Sequence, residues 1–455
     1  LLASSAASDV YKRQICALIS NVTATNWLTN TGVLAFLMPD SIMSQNSYEE
    51  FRYFYLDYEA KERLFLQKID KWEKPLKPFT CEDIVVSQDF NTYYYSRKEV
   101  DYKKGIDVTT ISRTKGIPDI VLNKETSFAK VKKHLIFGKK IAAQMSDATS
   151  AFSYLSDVHD FRKIIGDSAY EYRTGVEFTP QELYMLIGMG KSSTSSHYRF
   201  MNKKFTRSKY IVDDMPKNGW ELPTDHIYPI VTGPSLTPFR CNLENEYCIL
   251  PYSENKTNAP IGISELMTSN PELFEYLLNH QNLIDNQSDK SKVMRRGEEF
   301  YALSKIGPYT FSKYLVAARD NTKFCATVIE PQNTPWGETK QSICVKHTMI
   351  IGRTVAGRFI EKDEAYYIAG ILNSNIVIQY MQSTFKSNGY SLKKSHFYLP
   401  EFDQTNPLHK EICKLAKKAS KLTDQAKIAI IQSKLSDVYL NCLLYTSDAA
   451  DEARS

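Results

Sequence analysis

The sequence predicts an α/β segment followed by a larger mixed α+β region. Three observations carry that expectation. Residues 33–38 (VLAFLM) form a continuous apolar run closed by Pro39, the pattern of a strand buried on both faces of a parallel sheet. A helical stretch, Cys16–Leu28, precedes it, and a capping-box pattern follows it: Ser47-Tyr48-Glu49-Glu50 leads into Phe51, Phe54 and Tyr55 on one helical face. Helix, buried strand and capped helix in succession are the rhythm of a doubly wound sheet. Beyond about residue 115 the elements shorten and polar turn residues multiply, so a domain boundary is expected there.

Further strands are expected near Leu64–Ile69, Asp83–Ser87, Tyr93–Ser96 and Asp107–Ser112, with Tyr93-Tyr94-Tyr95 read as strand residues and not as a stacking platform. In the second region Asn270-Pro271 opens a helix with Leu273, Phe274, Leu277 and Leu278 turned inward. Residues 364–381 are nearly all apolar and predict one buried helix. Cys325–Ile329 and His347–Ile351 read as strands, and an Ala/Lys/Ile-rich helix follows Pro407.

Composition is that of an ordinary globular protein, 42% hydrophobic with a net charge of +5. This mild basicity permits a nucleic-acid partner without requiring one. The cysteines are scattered with no C-x-x-C pair, as expected of reduced thiols in a cytoplasmic protein. No apolar run approaches the roughly 18–20 residues that span a bilayer, so no membrane partner is expected. His159, His226, His347 and His396 lack metal-ligand spacing, and no metal site is expected.

Two familiar motifs are only partly spelled. Gly188-Met189-Gly190-Lys191-Ser192 resembles the end of a phosphate loop, but Met185 stands where the first glycine belongs. Pro39-Asp40 with Glu59-Ala60-Lys61 spells the residues of a metal-dependent nuclease. That chemistry needs convergence on adjacent strands, whereas Glu59-Ala60-Lys61 is expected to continue a helix. A third pattern is more informative. From Leu183 to Val212 there is no acidic residue, while Lys191, Arg199, Lys203, Lys204, Arg207 and Lys209 are interleaved with Tyr198, Phe200, Phe205 and several hydroxyls. Phosphate contacts call for that mixture. Lys393 and Lys394 form a second basic cluster, in a turn after the buried helix.

Five stretches in order resemble the adenine-N6 DNA methyltransferases of restriction–modification systems. Residues 31–41 (TGVLAFLMPDS) with Phe51-Arg52 look like the strand and helix downstream of the catalytic motif. Residues 170–179 (YEYRTGVEFT) resemble the opening of the target-recognition region, and 227–236 (IYPIVTGPSL) an internal element of it. Residues 365–374 (AYYIAGILNS) resemble its buried helix, and Leu399-Pro400-Glu401-Phe402 with Leu408-His409-Lys410 the segment after that. The resemblance implies residues 15–114 as the tail of a class I S-adenosylmethionine-dependent methyltransferase sheet, 115–415 as a mixed α+β DNA target-recognition domain and 416–441 as a C-terminal helix. It implies S-adenosylmethionine as cofactor, double-stranded DNA as partner, methyl transfer to adenine N6, and flipping of the target base out of the stack. Phe79 falls where the family places a residue stacked on that base. Lys203, Lys204, Arg207, Lys209, Lys393 and Lys394 are expected at phosphates, and Arg240 at a base or the backbone. The family's Gly-rich donor loop and Asn/Asp-Pro-Pro-Tyr motif do not occur, so no catalytic residue is expected in this chain and the chain alone is expected to be inactive. Two neighbouring readings remain: a non-catalytic DNA-specificity subunit, and the methylase part of a polypeptide fused to, or partnered by, a restriction endonuclease.

The ends account for the missing motifs. Residues 4–14 (SSAASDVYKRQ) read back into codons as the transposon adapter used for sequencing libraries, and 442–452 (CLLYTSDAADE) as its reverse complement in a shifted frame. Residues 1–14 and 442–455 are thus expected to be adapter translations. The reading frame upstream of Ile15 is expected to encode a Pro-Pro-Tyr-type motif within roughly 20–60 codons, the size of a strand-plus-helix unit. Sequencing across that junction checks it, and an intact frame without the motif defeats the methyltransferase reading.

Overall fold

The computed structural model describes residues 18–44, 48–73, 80–81, 84–85, 90–114, 127–146, 149–192, 194, 196–206, 208, 210–287, 293–295, 297–321, 323–385 and 389–452. The architecture is mixed α/β, in two compact units: residues 1–165 with 382–388, and residues 166–381 with 389–455.

The first unit contains a helix at 18–27 (α1), strand β1 (Leu34–Pro39), a short helix α2 (Glu49–Tyr53), then β2 (Phe65–Trp72), β3 (Phe90–Ser96), β4 (Ile106–Arg113), β5 (Leu135–Ser146), β6 (Thr149–Tyr154) and helix α3 (Leu155–Lys163). The six strands form one sheet in the order β1-β3-β2-β4-β5-β6. β3 lies antiparallel between β1 and β2, and β2 pairs parallel with β4. So β1, β2 and β4 share one direction, but only one hydrogen-bonded pair among them is parallel, and β1, expected to be buried on both faces of a parallel sheet, is an edge strand paired antiparallel with Leu37 61% exposed. The alternation of β3 explains its tyrosine run. Tyr93 and Tyr95 are fully buried, while Tyr94 points to the other face and donates to Asp70 Oδ2 at 2.7 Å. Phe51 and Phe54 pack on Tyr95, with ring centroids 5.6 and 4.9 Å away. Between these two phenylalanines the chain buries Arg52, whose guanidinium donates to the Ile42 carbonyl and Ser150 Oγ. Burial lowers its pKa to about 10.

Three expectations are corrected here. Helix α2 stops at Tyr53, and Tyr55 begins a short strand, because Phe54 takes a left-handed conformation (φ 42°). Glu59-Ala60-Lys61 forms the turn after that strand and not a helix; Glu59 is exposed, whereas Asp40 is buried and accepts from Asn91. The division expected near 115 falls after Ile165. The cause is register: β4 pairs with β5 from Ile106↔Ala142 to Arg113↔Leu135, which binds residues 135–154 to the first sheet.

The second unit is built on two sheets and a group of helices. Its strands are β7 (Met185–Lys191), β8 (His197–Asn202), β9 (Trp220–Pro223), β10 (Ile227–Val231), β11 (Glu246–Ile249), β12 (Leu315–Arg319), β13 (Ala326–Ile329), β14 (Ile343–Cys344) and β15 (Thr348–Ile351). One sheet runs β9-β8-β7-β11-β10-β14. The other joins the two-residue strand Arg173–Thr174 to β15, β12 and β13. Its main helices are α4 (Pro271–Asn279), α5 (Lys362–Leu372), α6 (Asn375–Thr384), α7 (Pro407–Ser420) and α8 (Gln425–Glu452). In α4 Tyr276 takes the inward position expected of Leu278, donating to the Leu183 carbonyl at 2.7 Å, while Leu278 is exposed. The single helix expected at 364–381 breaks at Asn373-Ser374. The helix expected at 416–441 begins at Pro407 as α7, ends at Ser420, and is followed by α8, which continues across position 441. The 415/416 boundary thus cuts through α7, whose inner face is packed on α5: a Cβ on Gly370 would lie 2.7 Å from Ile412 Cγ2.

Three of the stretches that carry the resemblance, 170–179, 365–374 and 399–410, interlock in this unit. Tyr170 donates to Glu364 Oε1, and the Phe402 amide donates to the Tyr170 hydroxyl, both at 2.9 Å. Glu364, 2% exposed, also receives the Arg358 guanidinium at 2.8 Å on each oxygen. Tyr367 donates to the Pro400 carbonyl, and its ring centroid lies 4.6 Å from that of His409. Asn373 accepts from the Ala326 amide and donates to the Ala326 carbonyl, which ties the end of α5 to the edge of β13. Val176 N donates to Cys344 O of β14 at 2.8 Å, and the next residue after β14 donates to β10, Val345 N to Val231 O at 3.0 Å. At Gly175 a Cβ would stand 2.3 Å from the Val345 carbonyl oxygen and 2.5 Å from that of Cys344. Both obstacles are backbone, so only glycine fits.

Gly175→Ala is accordingly expected to destabilise the second unit by about 2 kcal/mol or more, since backbone cannot yield as a side chain does; a shift in the urea midpoint measures it. His409 supplies a pH dependence. Its Nδ1 accepts from the Asp403 amide at 2.9 Å, which fits a neutral ring, and burial holds its pKa below the ordinary 6.5 against the smaller pull of Asp403. The unfolded chain therefore takes up the proton first, so the stabilisation is full above about pH 6.5 and declines as the pH falls below it. The urea midpoint is expected to drop between about pH 7.5 and 5.5, and His409→Asn, which retains an acceptor, is expected to lessen the drop. A midpoint equal at both pH values contradicts this account.

Candidate nucleic-acid interface

The acid-free stretch folds as the hairpin β7–β8, paired from Leu186↔Asn202 to Lys191↔Tyr198. Its alternation separates the two residue types that are interleaved in the sequence. Tyr198 and Phe200 turn inward, where they surround Trp336 with Tyr247 at centroid distances of 5.1–5.9 Å. They are core residues and offer no stacking face. Gly188-Met189-Gly190-Lys191 belongs to the strand, not to a loop opening a helix, and Gly190 (φ 134°) sits at a bulge in the pairing.

The cations expected at phosphates differ in what already holds them. Arg199 donates to the Lys191 carbonyl at 3.1 Å (Nε) and 2.8 Å (Nη2), pinning the hairpin tip where Lys191 is exposed. Lys203, just past β8, forms an ion pair with Glu246 on β11 and lies near the Phe205 ring, so its charge is already compensated. Lys204 is exposed, with no ion-pair partner among the described residues. Arg240 donates to the Leu422 carbonyl at 3.3 Å, fastening a strand to the turn after α7. Arg207, Lys209 and the stacking candidate Phe79 lie outside the described residues.

Lys393 and Lys394 are exposed on a 3₁₀ turn, Leu392–Lys394, whose first amide donates to Met349 Sδ at 3.2 Å. Met349 pairs with Thr174, so the turn is held beside the Arg173–Thr174 strand. There Lys393 joins Arg173, Arg295, Lys305, Thr174 and Tyr309 around a cleft of about 510 Å³ with no carboxylate among its described lining residues. Glu171 pairs with Arg173, and Glu177 bonds Lys305 at 2.9 Å, leaving Lys393 and Arg295 without an ion-pair partner among the described residues. Arg295 keeps its place through the Ile284 and Phe300 carbonyls. The cleft is thus suited to an anionic oxygen cluster such as a phosphodiester. Sequence reasoning missed Arg173, Arg295 and Lys305, which are separated along the chain and meet only in the fold.

It also missed the outer face of α7. Lys410, Lys414, Lys417, Lys418 and, just past its end, Lys421 recur at intervals of four, seven, eight and eleven residues, which sets them on one side of a helix. That spacing was the available signal.

The described cysteines carry no reactive thiol: burial raises Cys241 to about 12 and Cys325 to about 11. Among the described residues no group of three or more His, Cys, Asp and Glu can hold a metal ion, and no helix is long and apolar enough to cross a membrane. No protein-family model and no curated protein matches this sequence.

Proposed function

We propose that this chain is the DNA-recognition part of an adenine-N6 DNA methyltransferase of a restriction–modification system, together with the tail of its catalytic sheet. The parent enzyme would move a methyl group from S-adenosylmethionine to the exocyclic amine of an adenine in a recognised duplex sequence. The observation that carries the reading is the interlocking of three of the four stretches that resemble the family's recognition region, 170–179, 365–374 and 399–410. Tyr170, Gly175, Glu364, Tyr367, Asn373, Phe402 and His409 stand far apart in sequence, yet each is needed by another of them or by the strands between them. Exposed Lys204, Lys393 and Lys394 on that scaffold supply the electrostatic requirement for DNA.

The residues present do not fit the cofactor. β1 runs directly into a 3₁₀ turn, Asp40–Met43, all of whose residues are buried, with no glycine-rich loop presenting free amides. The sequence also has no Asn/Asp-Pro-Pro-Tyr motif to grip an adenine amine. Donor binding and methyl transfer therefore lie, in this proposal, outside the residues of this chain, which contributes the positioning of duplex DNA.

The test is duplex binding by fluorescence anisotropy across a salt series. Affinity is expected to fall steeply with salt. Changing Lys204, Lys393 and Lys394 together to Ala is expected to reduce the log–log slope by about 2–3, at roughly 0.9 for each phosphate no longer neutralised. Absent or salt-independent binding by the folded chain refutes the proposal.

A further inference from the structure

Helix α7 has two faces of different character. Inward it presents Ile412, Cys413, Ala416 and Ala419, all buried. Outward it presents the lysines. At 100° per residue, Lys410, Lys414, Lys417, Lys418 and Lys421 fall within an arc of about 100°. Lys417 is held by Asp363 at 2.6 Å. Lys410, Lys414, Lys418 and Lys421 are exposed and form no ion pair among the described residues. Beside them runs a groove of about 700 Å³ whose floor includes Phe402, Cys413 and Leu422. A merely solvated helix face accounts for the lysines but not for the apolar floor left open beneath them.

We infer that this lysine face is a second contact for the DNA backbone, one that grips phosphates without reading sequence. The inference rests on the proposed DNA-recognition function and adds a surface to it. Three features favour a nucleic-acid backbone. From Lys410 to Lys421 the helix advances about 16 Å, a length over which one strand of B-DNA presents about five phosphates. The four uncompensated cations are all lysines, whose point charges suit neutralisation of phosphates without a fixed bidentate geometry. The apolar floor gives the lysine stems and the sugar edges a surface to lie on.

The experiment uses the full chain, duplex DNA and a salt series from about 50 to 200 mM. A variant with Lys410, Lys414, Lys418 and Lys421 all changed to Gln is compared with the Lys204/Lys393/Lys394 variant. Because the four side chains point outward, the far-ultraviolet spectrum and melting temperature of the Gln variant are expected to stay unchanged. Its log–log slope is expected to fall by about 3–4, so affinity declines roughly 100-fold less across that salt range, and equally for unrelated duplexes. An unchanged slope, with a reduced slope in the Lys204/Lys393/Lys394 variant, overturns this inference and leaves the DNA-recognition reading standing. Loss of poly-glutamate binding in the Gln variant with duplex binding intact also overturns it, in favour of an acidic protein partner. No duplex binding by the wild-type chain overturns both.

Discussion

The second unit depends on burying one helix, α5, with polar groups at both of its ends. Between Lys362 and Leu372 eight residues are buried, a large apolar gain that also desolvates Glu364 at the start and Asn373 at the end. An unpaired buried carboxylate would cost several kcal/mol, and an unsatisfied amide about 1–3. Both are answered locally. Arg358 and Tyr170 receive Glu364, and the Ala326 peptide receives Asn373 on both sides. These partners come from separate segments, so satisfying two side chains fixes how a strand, a loop and two helices assemble. The melting of any one of them strands a polar group in the core.

This explains why the recognisable stretches look as they do. A glycine at 175 is dictated by two carbonyl oxygens, a glycine at 370 by a helix crossing, and an asparagine at 373 by the buried edge of β13. None of these residues performs chemistry. They record the geometry of a scaffold, and chemistry is added to it by side chains that point away.

Much of the local structure was legible. β1 to β4 follow from apolar runs and alternation, and the start of α7 follows from a proline at the first helical turn. Legibility failed where a decision was non-local. Nothing near residue 115 tells that a strand at 135–146 returns to pair with 106–113, because register between distant strands leaves no local trace. The same holds for charge. Lys203 and Lys204 are adjacent in sequence, yet only the fold reveals that one meets Glu246 and the other meets water. Composition counts cations; it does not count which of them are already neutralised. The aromatic residues of the hairpin failed as surface candidates for a related reason, since strand alternation sorts neighbours onto opposite faces.

The division of α7 into a small-residue inner face and a lysine outer face has a consequence for how such a protein changes over time. The inner residues are constrained by a helix crossing at van der Waals distance, so drift there is punished as misfolding. Apart from Lys417, held by Asp363, the outer lysines form no ion pair among the described residues, so they can be gained or lost one codon at a time. If the chain positions duplex DNA as proposed, grip and discrimination are then free to evolve separately: a lineage could adjust how long its protein dwells on any duplex without altering which duplex it prefers.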